Sequence, residues 1–360
     1  MDLKDFLSFG DGLSESIYIA ALKDDTKYIV KYFEAGEDIH IRDERSQTLL
    51  HLAARNKALK SMELLLILGL DPNIGDKYLE TPIHIASYMG SVELIKLLLQ
   101  YSASTSVRNN LLQTPLHKAA YKGSVEALEV LLQNNADIFA VDENLTSVVQ
   151  FAVKSKKIKA VRYLVEMGAI VNSLDIRKES TLHYAAFAST VDIVEYLIGL
   201  GINPYSKNQY LLTPLHIAVE NPYIEMVSLF LKFGLTSYDQ SKFNQSPYDI
   251  SMTKNRYEAV EIFNHLKNDM EYQSRLKRNQ LTLSIIFNEF DRADALIPIS
   301  NVNEVDVFGN TALFYAIMNR EAYLVEKLLK YDASIYNIDF TKHDAIYYAT
   351  LIGDITIKKL

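Results

Sequence analysis

Apolar and polar positions over residues 114–137 fall into two short helical periods separated by one glycine. Thr114-Pro115-Leu116-His117-Lys118-Ala119-Ala120 reads as a helix start. The Thr114 hydroxyl can cap the first turn, and Pro115 suits the first helical position, where a missing N–H costs nothing. Leu116 and Ala119 supply a narrow apolar face, and Gly123 can take the left-handed conformation that ends a helix. A second apolar helical pattern runs from Val125 to Leu132. The turn-forming Asn134-Asn135-Ala136-Asp137 follows it.

The phrase recurs. Thr81-Pro82-Ile83-His84 lies 33 residues earlier and Thr213-Pro214-Leu215-His216 lies 99 residues later, three periods on. Thr48-Leu49-Leu50-His51 and Ser180-Thr181-Leu182-His183 fall on the same grid. Weaker copies begin at Ser147, Ser246, Thr311 and Asp344, an edge copy begins at Glu15, and the 246–311 interval has room for one more near 278. These make about eleven units, and a 33-residue period carrying T-P-L-H-x-A marks a helical repeat array.

On these residues the chain resembles the ankyrin-repeat family over nearly all of 15–360. The period, the TPLH phrase, the glycine after the first helix and closing turns such as Gly69-Leu70-Asp71-Pro72-Asn73 and Gly201-Ile202-Asn203-Pro204 recur in phase. The resemblance implies an all-α fold, an α-solenoid of helix–turn–helix repeats joined by β-hairpin fingers. Fold and function are separable, so it names no activity.

The expected organisation is an N-terminal lead over 1–14 and an arm of eight units over 15–267, the first of them a cap. A degenerate joint and unit follow over 268–310, and C-terminal units over 311–360, the last incomplete. Residues 268–278 contain no Gly or Pro and suit a helix. The second helix of the unit at 246 is therefore expected to run on to about Lys277 and replace the usual finger.

Composition narrows the chemistry. The 360 residues carry a net charge of −8, which argues against nucleic acid as the main partner. There is no Cys, so disulfides, thiolate metal sites and cysteine nucleophiles are excluded. A reducing, cytoplasmic setting is the natural expectation, or the cytosol of a host cell if the protein is an effector. No apolar run reaches the ~18–20 residues that span a bilayer, and Met1-Asp2-Leu3-Lys4-Asp5 lacks the basic and apolar regions of a secretory signal. HExxH, GxxxxGK[ST], GxGxxG and GxSxG are all missing. No catalytic residue, metal site, cofactor or small-molecule substrate is expected. His51, His84, His117, His183 and His216 sit one per unit, too far apart to share an ion, and read as structural.

In arrays of this family the finger tips and the ends of the first helices line one concave surface, so side chains there are free to serve recognition. Here those positions hold Tyr88-Met89, Tyr121-Lys122 and Phe187, with Arg55-Asn56 and Met318-Asn319 in outer units. Tips hold Tyr78, Leu111, Tyr210 and Phe243. Tyr and Met are enriched in interface cores. Tyr78, Tyr88, Met89, Leu111, Tyr121, Phe187, Tyr210 and Phe243 are therefore the expected anchors, with Lys122 and Lys154 steering acidic residues. Leu79, Leu112, Leu145 and Leu211 stand where the family commonly has Gly; if φ is positive there, each costs about 1 kcal/mol or more.

The expected function is non-catalytic recognition of a partner protein by a monomeric scaffold. A second reading makes the chain the targeting arm of a larger enzyme or effector whose catalytic domain lies beyond Leu360. A third lets Lys154–Arg162 bind a membrane surface. Otherwise that stretch, like Arg275-Leu276-Lys277-Arg278, reads as a solvated helix face.

Overall fold

Each strong unit starts its first helix by the same local chemistry. In the computed structural model, which describes residues 12–268, 273–274 and 276–359, Thr81 caps the Pro82–Met89 helix and Thr114 caps Pro115–Lys122. The histidine three residues on completes a capping box: the Thr81 N–H donates to His84 Nδ1 at 3.2 Å, and the Thr114 N–H to His117 Nδ1 at 3.1 Å. Gly90 and Gly123 close these helices at φ 64° and 72°. In the unit at 180, Ser189 takes that role at φ 57°.

A second helix follows each first helix. The chain forms two compact units, Met1–Ser173 and Leu174–Leu360. The first contains the pairs Gly12–Leu22 with Thr26–Glu34, Leu49–Arg55 with Leu59–Ile67, Pro82–Met89 with Val92–Gln100, Pro115–Lys122 with Val125–Gln133, and Val148–Lys154 with Ile158–Glu166. The second contains Thr181–Ala188 with Val191–Gly199, Pro214–Ala218 with Ile224–Lys232, Pro247–Thr253 with Tyr257–Asn268, Gln280–Ile286 with Phe290–Leu296, Ala312–Met318 with Ala322–Lys330, and Ala345–Ile352 with Ile355–Lys359. First helices are buried nearly all round, as at Leu116, Ala119 and Ala120. Second helices bury one stripe, such as Ala127, Leu128 and Leu131, and leave the other face wet. No described helix is long and apolar enough to cross a membrane.

The fingers are turns rather than paired strands; among the described residues the only ladder pairs are the isolated bridges Val141–Ser147 and Leu174–Ser180. Asp76 shows how each turn is held. Its Oδ1 accepts from the Tyr78 N–H at 2.8 Å and the Glu80 N–H at 3.0 Å, an Asx turn that Asn109, Asp142, Asp175, Asn208 and Asp306 repeat. Neighbouring tips are tied by a backbone bond, for example Asn110 N–H to Tyr78 O at 2.9 Å and Lys242 N–H to Tyr210 O at 2.8 Å.

The helix expected to reach Lys277 falls partly outside the described residues; Gln273 and Ser274 are helical, and Leu276 and Lys277 are in a turn. The Tyr257–Asn268 helix is followed by residues 269–272 and 275, which lie outside the described residues. Beyond them the described chain makes the usual finger turn, with the Lys277 N–H donating to Ser274 O at 2.9 Å and φ 55° at Lys277. The Val307 N–H donates to Leu276 O at 3.0 Å, the same tip-to-tip bond as Asn110 to Tyr78 and Lys242 to Tyr210.

The second unit departs from nearest-neighbour packing. Tyr205, 1% exposed, packs edge-on against Phe314 at 5.1 Å and Tyr348 at 6.4 Å, more than 100 residues away. Asn310 Nδ2 donates to the Tyr205 hydroxyl at 2.9 Å, and Lys207 Nζ donates to Met318 O at 2.7 Å. The lysine thereby caps the C-terminal end of the Ala312–Met318 helix, where carbonyls lack intrahelical donors. The rings of Tyr205, Phe314 and Tyr348 thus pack on one another, with Phe314 and Tyr348 edge-on at 4.8 Å.

Candidate functional site

In the first unit the expected anchors form rungs. Tyr88 and Tyr121 occupy the same helical position in successive pairs, seven residues past their threonine caps. Their rings stack with centroids 6.1 Å apart and planes 13° from parallel. Tyr121 in turn meets Phe151 edge-on at 6.5 Å, and Lys154 Nζ lies 4.7 Å from the Phe151 centroid. Tyr88 is 50% exposed and Tyr121 45%, while Met89 is half-buried and Lys122 exposed. At the tips Tyr78 is exposed under Lys77, whose Nζ sits 4.9 Å from the ring centroid, and Leu111 is exposed beside it.

In the second unit Phe187 is exposed, and Tyr210 stacks on Phe243 at 6.1 Å with planes 26° apart. The structure therefore brings Tyr88, Tyr121 and Lys154 together in the first unit through Phe151, and Tyr210 with Phe243 in the second.

Two groups expected at the surface contain buried residues. Met318 and Asn319 are buried, with Asn319 Nδ2 donating to Ile285 O at 2.8 Å, so they build the core of the second unit. The basic group at 275–278 is also not a solvated face. Arg275 lies outside the described residues. Arg278 is buried and donates to Asp306 Oδ2 at 3.3 Å, Gly234 O at 3.0 Å and the Tyr315 hydroxyl at 3.0 Å. Burial works against its charge, but Tyr315 and Asp306 outweigh that and hold its pKa above the usual value.

Sequence reasoning missed Phe151, whose signal was an aromatic four residues past a cap where other pairs carry Leu52, Ile85 or Lys118. It also missed Tyr205, Lys207, Asp306 and Tyr315.

The tip leucines keep φ > 0: Leu79 at 55°, Leu112 at 56°, Leu145 at 58° and Leu211 at 58°. The first three are about half exposed, so their apolar surface is held outward at a backbone cost. The five capping-box histidines have structural roles. Nδ1 accepts from the cap, and in His51, His84 and His183 the Nε2–H donates to a carbonyl of the next finger at 2.8, 3.0 and 2.8 Å. Burial lowers their pKa, to about 4 for His117 and His183 and about 3 for His216. Each is held at Nδ1 by its cap, while the buried Nε2 atoms of His117 and His216 have no hydrogen-bond partner.

A family model described as ankyrin repeats in three copies matches residues 17–109, 50–142, 116–208 and 182–274, overlapping stretches that run on without a gap. The chain belongs to the ankyrin-repeat family. Among solved structures, it is similar to the ankyrin repeat domain of Bcl-3, described as a unique member of the IkappaB protein family. Identity is 26%, the match covers 62% of this chain and 100% of that one, and the TM-score is 0.50. No curated protein matches the chain. Ankyrin repeats are in general protein–protein interaction modules, and the half-exposed rungs occupy positions that the repeat core does not need.

Proposed function

We propose that this ankyrin-repeat protein is a non-catalytic recognition module that holds a partner protein on its exposed aromatic rungs. In the first unit Tyr78, Tyr88, Met89, Leu111 and Tyr121 are the anchors, with Lys122 and Lys154 steering the approach. In the second unit Phe187, Tyr210 and Phe243 extend the contact set. The observation that carries this reading is the stacked Tyr88–Tyr121 pair. Two large rings are packed on each other yet stay about half in water, and exposed apolar surface of this kind marks interaction sites. Pre-stacked rings lose little further rotamer freedom when a partner covers them.

The test compares proteins captured from cytosolic extract by the wild-type chain and by Tyr88→Ser/Tyr121→Ser. Few interface residues carry most of the energy, so each anchor removed should cost about 1–3 kcal/mol of binding. The melting temperature should barely move, because both rings are exposed. A capture set unchanged by the substitutions would remove the rungs from the recognition surface.

A further inference from the structure

Four of the five turns between paired helices in the first unit together hold an excess of cations, concentrated in 55–60 and 154–159. They are residues 55–60, 88–93, 121–126 and 154–159, and they contain eight cations against two anions, Glu93 and Glu126, in a chain of net charge −8. Lys57, Lys60, Lys122, Lys156, Lys157 and Lys159 are all exposed. The two anions face local serines: Ser91 Oγ lies 3.5 Å from Glu93 and Ser124 Oγ 3.3 Å from Glu126.

The lysine stems are laid along the repeat edge rather than waving from it. A Cβ built on Gly90 would meet Lys122 Cγ at 3.2 Å, and one on Gly123 would meet Lys157 Cγ at 2.6 Å. Each stem thus crosses the helix-ending glycine of the preceding pair, two residues past Tyr88 and Tyr121. Glycine at these two places makes room for the stem as well as for positive φ.

Resting on the recognition reading above, we infer that the segment held on the first unit is an acidic peptide stretch with interspersed apolar side chains. Its carboxylates meet the lysine rank and the tyrosine hydroxyls, and its apolar side chains lie on the ring edges and Met89. Charge complementarity of this kind selects the partner and speeds encounter. A nucleic acid fits less well. Tyr88 and Tyr121 face each other at 6.1 Å, whereas a base inserted between two rings needs about 7 Å, twice a stacking distance of roughly 3.4 Å.

A randomised peptide library panned against the full chain tests this. Recovered sequences should be enriched in Asp and Glu over the unselected library. Individual recovered peptides, labelled and titrated by fluorescence anisotropy, should bind about tenfold more weakly to Lys122→Glu/Lys157→Glu, and less so to the neutral Lys122→Gln/Lys157→Gln. Binding should also weaken with salt. Recovered sequences without acidic enrichment, or peptides indifferent to charge reversal, would overturn the inference. So would tighter binding of oligouridylate or of phosphatidylserine vesicles than of the recovered peptides. The Tyr88→Ser/Tyr121→Ser variant separates the two readings. Non-acidic peptides that still need both tyrosines leave recognition standing and sink only the acidic assignment. Peptides indifferent to both pairs of changes sink both.

Discussion

Replacing Arg278 by Met should destabilise the second unit far more than a surface change would. The guanidinium side chain is 5% exposed and its partner carboxylate on Asp306 is 1% exposed. Removing one member of a buried pair costs about 3–5 kcal/mol, because the other charge stays buried. Here the lower end applies, about 3 kcal/mol. Asp306 keeps the Tyr315 hydroxyl at 2.7 Å and the N–H groups of Phe308 at 2.9 Å and Asn310 at 3.0 Å, while Gly234 O loses its donor. Asp306→Asn should cost a similar amount by stranding Arg278. The turn itself should survive, since Asn109 and Asn208 hold the same turn in their own fingers. The double variant Arg278→Met/Asp306→Asn removes both members of the pair, so its cost should fall at least about 2 kcal/mol short of the sum of the singles. Urea unfolding, read by pulsed hydrogen exchange on peptides from 174–360, measures all three. If Arg278→Met lies within about 1 kcal/mol of wild type, or if the singles simply add, the buried pair does not hold this unit together.

Three further outcomes follow from the same geometry. Buried His183 and His216 have folded pKa values of about 4 and about 3 against 6.5 in the unfolded chain, so the unfolded state protonates first. Stability is complete above about pH 6.5 and is lost as pH falls toward those values, about 2 kcal/mol per histidine by pH 5. His183→Gln/His216→Gln should flatten that dependence in urea titrations between pH 7 and 5, since Gln150 already fills the same capping role at 2.8 Å; an unchanged slope would mean that other groups cause it. Leu112→Gly relieves φ 56° and should be neutral to about 1 kcal/mol stabilising by thermal melt, the range left after the entropy cost of glycine; clear destabilisation would show that the exposed leucine packs on a neighbour. In native-state hydrogen exchange the finger at 203–212 and the helix 312–318 should open together, because Tyr205 and Lys207 tie them across the intervening pairs; independent opening would contradict that tie.

The repeat grid was legible because its signals are local. A threonine cap, a proline at the first helical position and a histidine three residues after the cap act within one turn, and the pairs at 81, 114 and 213 repeat all three. The rungs at Tyr88 and Tyr121 were legible for the same reason, since the grid fixes which residues the core leaves out. What escaped depends on residues far apart in the chain. Nothing near Tyr205 announces Asn310, and the Arg278–Asp306 pair sits behind a basic run that reads as surface. The finger at 274–277 was hidden because Ser274 stands where most fingers carry Asp or Asn, and the stretch around it favours helix. The bond from Val307 to Leu276 comes from the next finger, 31 residues on.

Site-specific photo-crosslinking tests the central claim most directly. A photoreactive residue replaces Met89, beside the stacked tyrosines, or Glu129, on the outward face of the Val125–Gln133 helix. The account predicts a discrete crosslinked partner from position 89 that is absent from position 129 and lost in Tyr88→Ser/Tyr121→Ser. The same products from both positions, or a product at 89 indifferent to the tyrosines, would contradict it.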